Sequence, residues 1–337
     1  MDRKSFFRAL ADRSLPSVLL FEGEEEQLKQ EALSELRRAI LPDGMETLNE
    51  TVLEDPSMDQ LIADVETQPF MSDRRLIIVR DLPALVGRAE ADERLLAYLP
   101  SVPDTAVLLF YCTGKPDGRK KLYNAVKKLG GIVTFAPLRD AELTRFVVSA
   151  FHDSGKECDD RTAEYLVFTV GSDAGLLRNE IQKLVSWAAD RSFILADDIA
   201  ALATPSTECT VFQMVDAVVT GQRSRAFTLL RNQLLSGTDR ISILAMLLRQ
   251  YRLLQHIKIM QYEKRGIDFI RSALGVPPFA VDQYVRQASG YTGGQVKNAV
   301  RICFEMEYAV KSGRLSQDGA VEAVVLKLLN LREKTRG

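Results

Sequence analysis

The sequence has few of the side chains from which metal centres and disulfide frameworks are built. It contains four cysteines and two histidines in 337 residues, with no CxxC pair. These side chains are scattered along the chain, as Cys112, His152, Cys158, Cys209, His256 and Cys303. Structural zinc sites place such ligands at short spacings, and disulfide scaffolds concentrate cysteines in short chains. We therefore expect no metal centre and no disulfide framework.

A dominant charge and a long apolar run are also missing. The 44 basic and 46 acidic residues give a formal net charge of -2, so no global positive field attracts nucleic acid or an anionic membrane. The basic N-terminal segment, residues 1–7, includes no apolar stretch long enough for a signal peptide or a membrane span. We expect a cytoplasmic protein without membrane contact, in which any contact with DNA depends on a local patch.

Short apolar runs rich in β-branched and aromatic residues predict five strands. They lie at residues 17–22, 47–53, 75–80, 106–112 and 132–136. Amphipathic helical patterns separate them, the clearest with Leu28, Ala32, Leu36 and Ile40 at four-residue spacing within residues 24–40. This alternation predicts an α/β domain with a mostly parallel sheet.

The remaining patterns predict helices and three domains. Ser57 stands at an N-cap position with Gln60 three residues later, before a helix that ends near Gln68 and Pro69. Helical periodicity then covers residues 140–153, 161–170, 173–188, 196–203, 211–219, 224–235, 241–262 and 295–311, with a linker at 204–207. We predict an α/β domain over residues 1–139, a small helical domain over 140–207 and an all-helical domain over 208–337.

Acidic residues stand where a phosphate-binding loop would lie. A P-loop combines a glycine-rich turn with a Lys-Ser/Thr pair at a helix N-terminus. Here the turn contains Gly23 alone, among Glu22, Glu24, Glu25 and Glu26. Like charges about 4 Å apart repel by roughly 4 kcal/mol at an effective dielectric of 20, whereas glutamates in a first helical turn are favoured by the helix dipole. We therefore expect no bound nucleotide and no other cofactor.

Signatures of catalysis are absent elsewhere. The fourth strand ends at Cys112 without the Asp or Asp-Glu pair that would hold magnesium. The chain contains no GxSxG, no HExxH and no spaced metal-ligand cluster. Gly293, Gly294 and Gln295 form the tripeptide of peptide-release factors, but we interpret them as a turn and a helix start. We predict no catalytic residue and a protein that works by binding.

One candidate binding segment joins a predicted helix to the third strand. It contains Pro69, Phe70 and Met71. Phe and Met usually pack in a protein core. If these side chains project instead, burying one of them in a partner's pocket would contribute about 1.5 to 3 kcal/mol.

The second candidate segment follows the fourth strand and is basic. Its cations are Lys115, Arg119, Lys120 and Lys121, with Lys127 and Lys128 on the same predicted helix. Such runs are usually solvated helix faces, but a local basic patch also suits phosphate groups or an acidic partner. Both interpretations stay open.

Four stretches, in their order and spacing, resemble the delta subunits of the bacterial DNA polymerase III clamp loader. They are residues 18–25, 69–79, 171–184 and 211–217, and residues 248–254 and 308–313 extend the likeness over nearly the whole chain. The resemblance implies an AAA+-like parallel-sheet domain without a working P-loop. It also implies a small helical lid domain and a helical C-terminal collar domain.

The resemblance further implies partners and a site. In that family an apolar pair before the third strand enters a pocket on the beta sliding clamp, and the pair falls here on Pro69 and Phe70, with Met71 adjacent. Other implied partners are the gamma/tau and delta prime subunits, joined through the collar, and primer-template DNA within the complex. The chain would help to open the clamp without hydrolysing ATP. It would belong to a DNA-directed DNA polymerase, a nucleotidyltransferase, without a catalytic site of its own.

The sequence departs from the family pattern at two positions. Pro69 replaces the leucine of some members, which leaves Phe70 as the main anchor, and Glu307 stands where many members have aspartate. Two other interpretations stay open, an active AAA+ ATPase with a degenerate phosphate loop and a helical adaptor outside replication. Nucleotide binding would favour the first, and a lack of affinity for a sliding clamp would favour the second.

Overall fold

The computed structural model describes residues 1–41, 43–139, 141–274, 276 and 278–333. Contacts within the chain divide it into two compact units, Met1–Leu138 and Arg139–Gly337. The division of the chain into three domains therefore stays a prediction. The predicted helix at 140–153 starts at Asp140, which lies outside the described residues.

A five-stranded parallel sheet forms the centre of the first unit. Its strands are β1 Val18–Glu22, β2 Glu50–Glu54, β3 Arg75–Arg80, β4 Ala106–Tyr111 and β5 Ile132–Thr134. They lie in the order β2-β3-β4-β1-β5, and every neighbouring pair is parallel. The inner strands β1, β3 and β4 are almost wholly buried, as is usual for a parallel sheet covered on both faces. The predicted α/β fold is confirmed.

In the described part of the first unit, seven α-helices surround or connect these strands. They are α1 Arg3–Ala11, α2 Glu26–Ile40, α3 Glu46–Asn49, α4 Met58–Glu66, α5 Pro83–Val86, α6 Glu93–Tyr98 and α7 Lys121–Lys128. Leu28, Ala32 and Leu36 of α2 are buried, which confirms the predicted apolar face. The Ser57 hydroxyl accepts a hydrogen bond from the Gln60 N–H at 3.3 Å, which confirms the predicted N-cap of α4.

Two predicted boundaries that bear on the candidate site were wrong. The second strand was predicted over residues 47–53, but β2 begins at Glu50 and the helical turn α3 precedes it. The side chain of Asn49 explains the difference, because it is fully buried and hydrogen-bonded to residues before and after the strand. The helix predicted from residue 24 begins at Glu26, so Glu24 and Glu25 lie in the turn before it.

Parallel strands give the sheet two different edges. The turns that follow the strands gather at its carboxyl edge, and the loops that precede them gather at its amino edge. The β1–α2 turn therefore lies at the carboxyl edge, whereas the loop at residues 67–74, which precedes β3, lies at the amino edge.

The second unit is helical, as predicted. Its helices are α8 Ala141–Asp153, α9 Asp160–Val170, α10 Ala174–Ala188, α11 Ala196–Leu202, α12 Thr207–Thr220, α13 Arg223–Leu235, α14 Arg240–Tyr262, α15 Ile267–Leu274, α16 Pro278–Ser289, α17 Gly293–Lys311 and α18 Ala320–Glu333. Among its described residues the only pairing between extended segments is an isolated bridge of Glu157 with Phe193. No helix in the described part of the chain is long and apolar enough to cross a membrane.

Most predicted helix starts in the second unit lie within two residues of the observed ones, but the helix predicted from residue 211 begins at Thr207. Thr292 and Gln295 form a reciprocal capping box, with hydrogen bonds of 2.8 and 3.2 Å, so the glycine pair before Gln295 opens α17 as predicted. The predicted linker at 204–207 is shorter, because Thr207 already belongs to α12. The Phe168 ring of α9 packs edge-on against Phe212 of α12 at 5.1 Å, so the segments on either side of that linker share apolar contact.

Gly23 allows the backbone of Phe135, which follows β5, to approach the β1–α2 turn. Its φ is +119°, and a Cβ at this position would lie 2.2 Å from the carbonyl oxygen of Phe135. Residues with a Cβ avoid this region of φ, and the carbonyl leaves no room for a methyl group. The turn therefore requires glycine for its own packing, without reference to a ligand.

Gly23→Ala should lower the free energy of unfolding of the first unit by about 2 kcal/mol or more, because strain and overlap act together. Native-state hydrogen exchange of the β1 and β5 amides measures this loss locally. Gly130→Ala in the same unit is the matched control, since Gly130 also has a positive φ of +76° but open space around its Cβ. Equal losses at the two sites would contradict a role for the Phe135 contact.

Candidate functional site

The loop at residues 67–74, which we call the Phe70 loop, exposes two large apolar side chains. Phe70 is 53% exposed and Met71 is 75% exposed, while Pro69 is partly buried. The alternative in which Phe70 and Met71 pack under the sheet is therefore wrong. Exposed apolar groups of this size are typical of contact surfaces.

A buried amide holds the backbone of Phe70. The Asn49 Oδ1 accepts a hydrogen bond from the Phe70 N–H at 2.7 Å, and its Nδ2 donates to the Phe70 carbonyl at 2.9 Å. The same Nδ2 lies 3.2 Å from the Met45 carbonyl oxygen. Asn49 is fully buried, so its polar atoms need these partners. The backbone of Phe70 is thus fixed while its ring stays exposed.

Two further contacts fix the base of the loop. The Ser72 hydroxyl lies 3.1 Å from the carbonyl oxygen of Ile40, at the end of α2. Arg75, at the start of β3, donates to Thr51 Oγ1 at 2.9 Å and to the Leu48 carbonyl at 3.4 Å. Met71, between these anchors, has a φ of +50°, which a residue with a Cβ rarely adopts. The bend at Met71 is therefore maintained by contacts on both sides.

Other apolar side chains are exposed on α3, which ends at Asn49, and on β2, which follows it. Leu48 of α3 is 51% exposed, and Val52 of the edge strand β2 is 47% exposed. Leu48 is the immediate neighbour of Asn49, whose side chain bonds to Phe70. The Phe70 loop therefore projects beside an element that itself exposes apolar surface.

The carboxyl edge of the sheet is closed by a lysine. Lys29 of α2 is fully buried, and its Nζ donates to the carbonyls of Cys112 and Thr113 at 2.7 and 3.2 Å. The Nζ also lies 2.9 Å from Glu26 Oε2 and 5.5 Å from the centre of the Tyr111 ring. These oxygens match the three donors of an ammonium group. The lysine at this edge is therefore neutralised within the chain and is not presented to an anion.

Glu26 completes this arrangement. It accepts a hydrogen bond from the Tyr111 hydroxyl at 2.6 Å and one from Gln30 at 2.9 Å. Partial burial alone would raise the pKa of Glu26, but the hydrogen bonds from Tyr111, Lys29 and Gln30 outweigh it and lower the pKa. Burial, together with the bond to Glu26, raises the pKa of Tyr111 well above its ordinary value. The carboxylate is thus kept ionised and the phenol neutral.

The neighbouring polar groups at this edge are also engaged. Glu22 accepts from Thr134 Oγ1 at 2.9 Å and from the Tyr123 hydroxyl at 3.2 Å. Asp81 accepts from the N–H and the hydroxyl of Thr113 at 2.8 and 2.9 Å. Burial raises the pKa of the Cys112 thiol to about 12. Among the described residues no group of three or more His, Cys, Asp or Glu side chains could hold a metal ion.

The structure changes the interpretation of the glutamates. Only Glu26 stands in the first turn of α2, so the helix-dipole argument applies to Glu26 but not to Glu24. Glu25 occupies the N-cap position without a side-chain cap, and its N–H lies 3.4 Å from the Phe135 carbonyl oxygen. Backbone and side chains of the same unit therefore occupy the turn where a P-loop would bind phosphate.

The basic segment is largely paired with nearby acids. Arg119 makes two bonds of 2.9 and 3.0 Å to Asp117, and these contacts lower the pKa of Asp117 to about 2. Lys120 Nζ lies 3.9 Å from Glu90, and Lys121 Nζ lies 3.8 Å from Glu93. Lys115 is exposed. The segment therefore presents less net positive charge than its sequence indicates, and its contact with DNA or a partner stays a prediction.

An aromatic pair is exposed on the second unit. Phe304 and Tyr308 of α17 are about half exposed and stack with ring centres 6.3 Å apart. The Arg314 guanidinium lies 5.3 Å from the centre of the Tyr308 ring. Sequence reasoning missed this pair, although its spacing of four residues on one helix was a usable signal.

Sequence reasoning also missed Lys29 and Asn49. Lys29 falls on the apolar face of α2, next to Leu28 and one turn before Leu33, so its position in the helical pattern indicated burial. The partners of Asn49 lie 21 residues away in the loop, and no local pattern marks them. Both residues became visible only when the fold brought their partners together.

Comparison with known proteins gives a consistent set of matches. The family model described as DNA polymerase III, delta subunit, matches residues 19–136, and the model for the C-terminal domain of the same subunit matches residues 208–328. The chain is 30% identical over 337 residues to DNA polymerase III subunit delta of Bacillus subtilis (strain 168), covering 97% of each chain. It is 22% identical over 255 residues to the subunit delta of Escherichia coli (strain K12), covering 74% of each.

A solved structure is similar along its whole length. The Bacillus subtilis DNA clamp loader delta protein matches with a TM-score of 0.54 and 28% sequence identity, covering 97% of this chain and 99% of that chain. The sequence and structural matches therefore span both units.

Lys29→Met should lower the free energy of unfolding of the first unit by about 2 to 4 kcal/mol, because two buried carbonyls lose their donor. Glu26→Gln should cost less than about 1 kcal/mol, since Glu26 is half exposed and an amide oxygen still accepts from Tyr111. Native-state hydrogen exchange of the β1 and β4 amides measures the loss of stability that each substitution causes. Equal losses would mean that the ion pair, and not the carbonyl contacts, dominates the role of Lys29.

Proposed function

The chain belongs to the family of DNA polymerase III delta subunits, and from this premise we propose that it binds the beta sliding clamp through Phe70. As a component of the DNA polymerase III clamp loader, it would help to hold the clamp ring open for loading onto primed DNA. Phe70 would enter an apolar pocket of the clamp, with Met71 beside it and Pro69 shaping the backbone. The observation that carries the proposal is the exposure of Phe70 on a fixed backbone.

The energetics suit such an anchor. Complete burial of one large apolar side chain in a partner contributes about 1.5 to 3 kcal/mol. Anchors of this kind dominate protein interfaces when they fill a pocket, and surrounding contacts exclude water. Met71, 75% exposed, and Leu48, 51% exposed, would provide part of that surrounding surface.

We further propose that the chain does not hydrolyse ATP. Lys29 is bound to Glu26 and to two carbonyls, and Phe135 packs against the β1–α2 turn. Both features leave the β1–α2 turn without open space for a phosphate group and keep Lys29 from reaching one. The work of this subunit would then be mechanical, with access to its clamp-binding surface controlled by motor subunits through a population shift.

The remaining partners follow from membership of the complex. We propose that the helical C-terminal region joins the gamma/tau and delta prime subunits, and the exposed pair of Phe304 and Tyr308 is a candidate contact. Primer-template DNA would meet the chain within the assembled loader in the cytoplasm, and Lys115, Arg119 and Lys121 are the candidate cations that are exposed. The nucleotidyltransferase activity would belong to other subunits of the holoenzyme.

Titration with millimolar MgATP should show no saturable binding to the isolated chain, because the lysine and the turn at the carboxyl edge are already occupied. Isothermal titration calorimetry measures MgATP binding directly. Lys29→Met provides a useful comparison, since it removes the buried lysine bound to Glu26 without adding a phosphate loop. Saturable micromolar binding by the unchanged chain would favour an active AAA+ ATPase.

Phe70→Ala should weaken binding to the purified sliding clamp by about 2 kcal/mol or more, which is roughly thirtyfold in affinity. Surface plasmon resonance measures the affinity, and thermal unfolding should change little because the ring is exposed. Phe193→Ala is the matched control, since Phe193 is 58% exposed and lies in the second unit. Unchanged affinity would remove Phe70 as the anchor. No affinity of the unchanged chain for any sliding clamp would favour the adaptor interpretation.

A further inference from the structure

The side chain of Asn49 forms hydrogen bonds with both backbone polar groups of Phe70. Its Oδ1 accepts from the Phe70 N–H at 2.7 Å, and its Nδ2 donates to the Phe70 carbonyl at 2.9 Å. One side chain thereby satisfies both backbone groups of the residue that carries the exposed ring. A neighbouring strand would satisfy the same two groups in a sheet, so Asn49 takes the place of a strand in an irregular loop.

This arrangement requires a carboxamide. An amide has both an acceptor oxygen and a donor nitrogen, whereas a carboxylate only accepts and an aliphatic side chain does neither. The second hydrogen of Nδ2 reaches the Met45 carbonyl at 3.2 Å, so both donors of Asn49 face acceptors. Full burial makes each of these bonds costly to lose, because no water replaces the missing partner.

The backbone on both sides of Asn49 is also held in place. The backbone N–H of Asn49 donates to the carbonyl of Met45, the N-cap residue of α3, at 3.2 Å. Glu50, the next residue, accepts two bonds of 2.7 Å from Arg37 of α2. Arg75 binds the carbonyl of Leu48, the preceding residue, at 3.4 Å. The amide therefore projects from a fixed backbone toward the loop.

The loop needs such support. Met71 follows Phe70 with a φ of +50°, an unfavourable conformation for a residue with a Cβ. The Ser72 hydroxyl reaches the Ile40 carbonyl at 3.1 Å on the far side of this bend. Without the bonds to Asn49 the loop would keep its contacts at Ser72 and Arg75, which follow the bend, but Phe70 before the bend would sample other orientations.

We propose that Asn49 is a positioning residue for the clamp-binding site, and that it presents Phe70 in its binding orientation before the partner arrives. The inference rests on the proposed function of Phe70 as the anchor. A preorganised side chain loses less conformational freedom on binding, so its contact yields more affinity. Asn49 touches the partner nowhere in this scheme and acts through Phe70.

The test measures clamp affinity for Asn49→Leu in the full chain, with Phe70 present and with Phe70→Ala. Asn49→Leu should weaken binding at least about tenfold when Phe70 is present, because the ring is no longer preorganised. In the Phe70→Ala background the same change should alter affinity less than about twofold, since a residue that acts through Phe70 has nothing left to position. An equal loss in both backgrounds would overturn the proposal, because Asn49 would then act on the fold as a whole.

A second readout does not depend on the clamp. Hydrogen exchange of the free protein should accelerate at least about tenfold at the amide of Phe70 in Asn49→Leu, because the Asn49 Oδ1 accepts the hydrogen bond from that amide. Leu122→Ala is the control, because Leu122 is buried in the same unit and has no hydrogen bond to the loop. Leu122→Ala should change the exchange of the Phe70 amide no more than it changes the exchange of the strand amides. Unaltered exchange in Asn49→Leu would overturn the proposal.

The two readouts separate this inference from the proposed function. Accelerated exchange, with clamp affinity insensitive to Phe70→Ala, would support positioning of the loop while removing Phe70 as the anchor. Asn49→Asp serves if Asn49→Leu does not fold, because it keeps the shape and the acceptor for the Phe70 N–H. It loses both donors, so it should weaken clamp binding in the same direction as Asn49→Leu, while the Phe70 amide, which keeps its acceptor, should exchange more slowly than in Asn49→Leu.

Discussion

The requirement that buried polar atoms find hydrogen-bond partners determines the functional features of the first unit. Lys29 and Asn49 are both fully buried, and both contact backbone groups far away in the sequence. Lys29 closes the carboxyl edge of the sheet with its three donors. Asn49 fixes the loop at the amino edge with one acceptor and two donors. Lys29 satisfies carbonyls at the edge where nucleotide-binding α/β proteins hold a ligand. Asn49 satisfies backbone groups that a neighbouring strand would satisfy in a sheet.

The two edges of the sheet therefore have different roles. Nucleotide-binding α/β proteins use the carboxyl edge for their ligand, and here that edge is filled by Lys29, Glu26 and Phe135. Phe70 and Met71, the exposed apolar side chains of the Phe70 loop, lie at the amino edge. Helix α2 connects the two, since Lys29 lies near its start and the Ile40 carbonyl at its end contacts Ser72. Its 15 residues span about 22 Å.

The sequence predicts the order of elements well, because local patterns govern it. Apolar runs of β-branched residues located β1, β3, β4 and β5 closely, and four-residue spacing located the buried face of α2. The start of β2 was misplaced because Asn49 is satisfied by partners outside any local pattern. Exposure of Phe70 could not be predicted either, since an aromatic side chain beside a buried strand normally packs into the core. The pairing of Arg119, Lys120 and Lys121 depended in the same way on acids brought close by folding.

The closed carboxyl edge has a consequence for the thermodynamics of the unit. A ligand that binds only the folded state stabilises it by an amount that grows with the ligand concentration. The Lys29 ammonium group is covalently part of the chain, so it occupies its position among the Cys112 and Thr113 carbonyls at every dilution. The contribution of this contact to folding does not vary with the level of any diffusible cation or nucleotide. The loop at the opposite edge is therefore carried by a unit in which this contact is present at every ligand concentration.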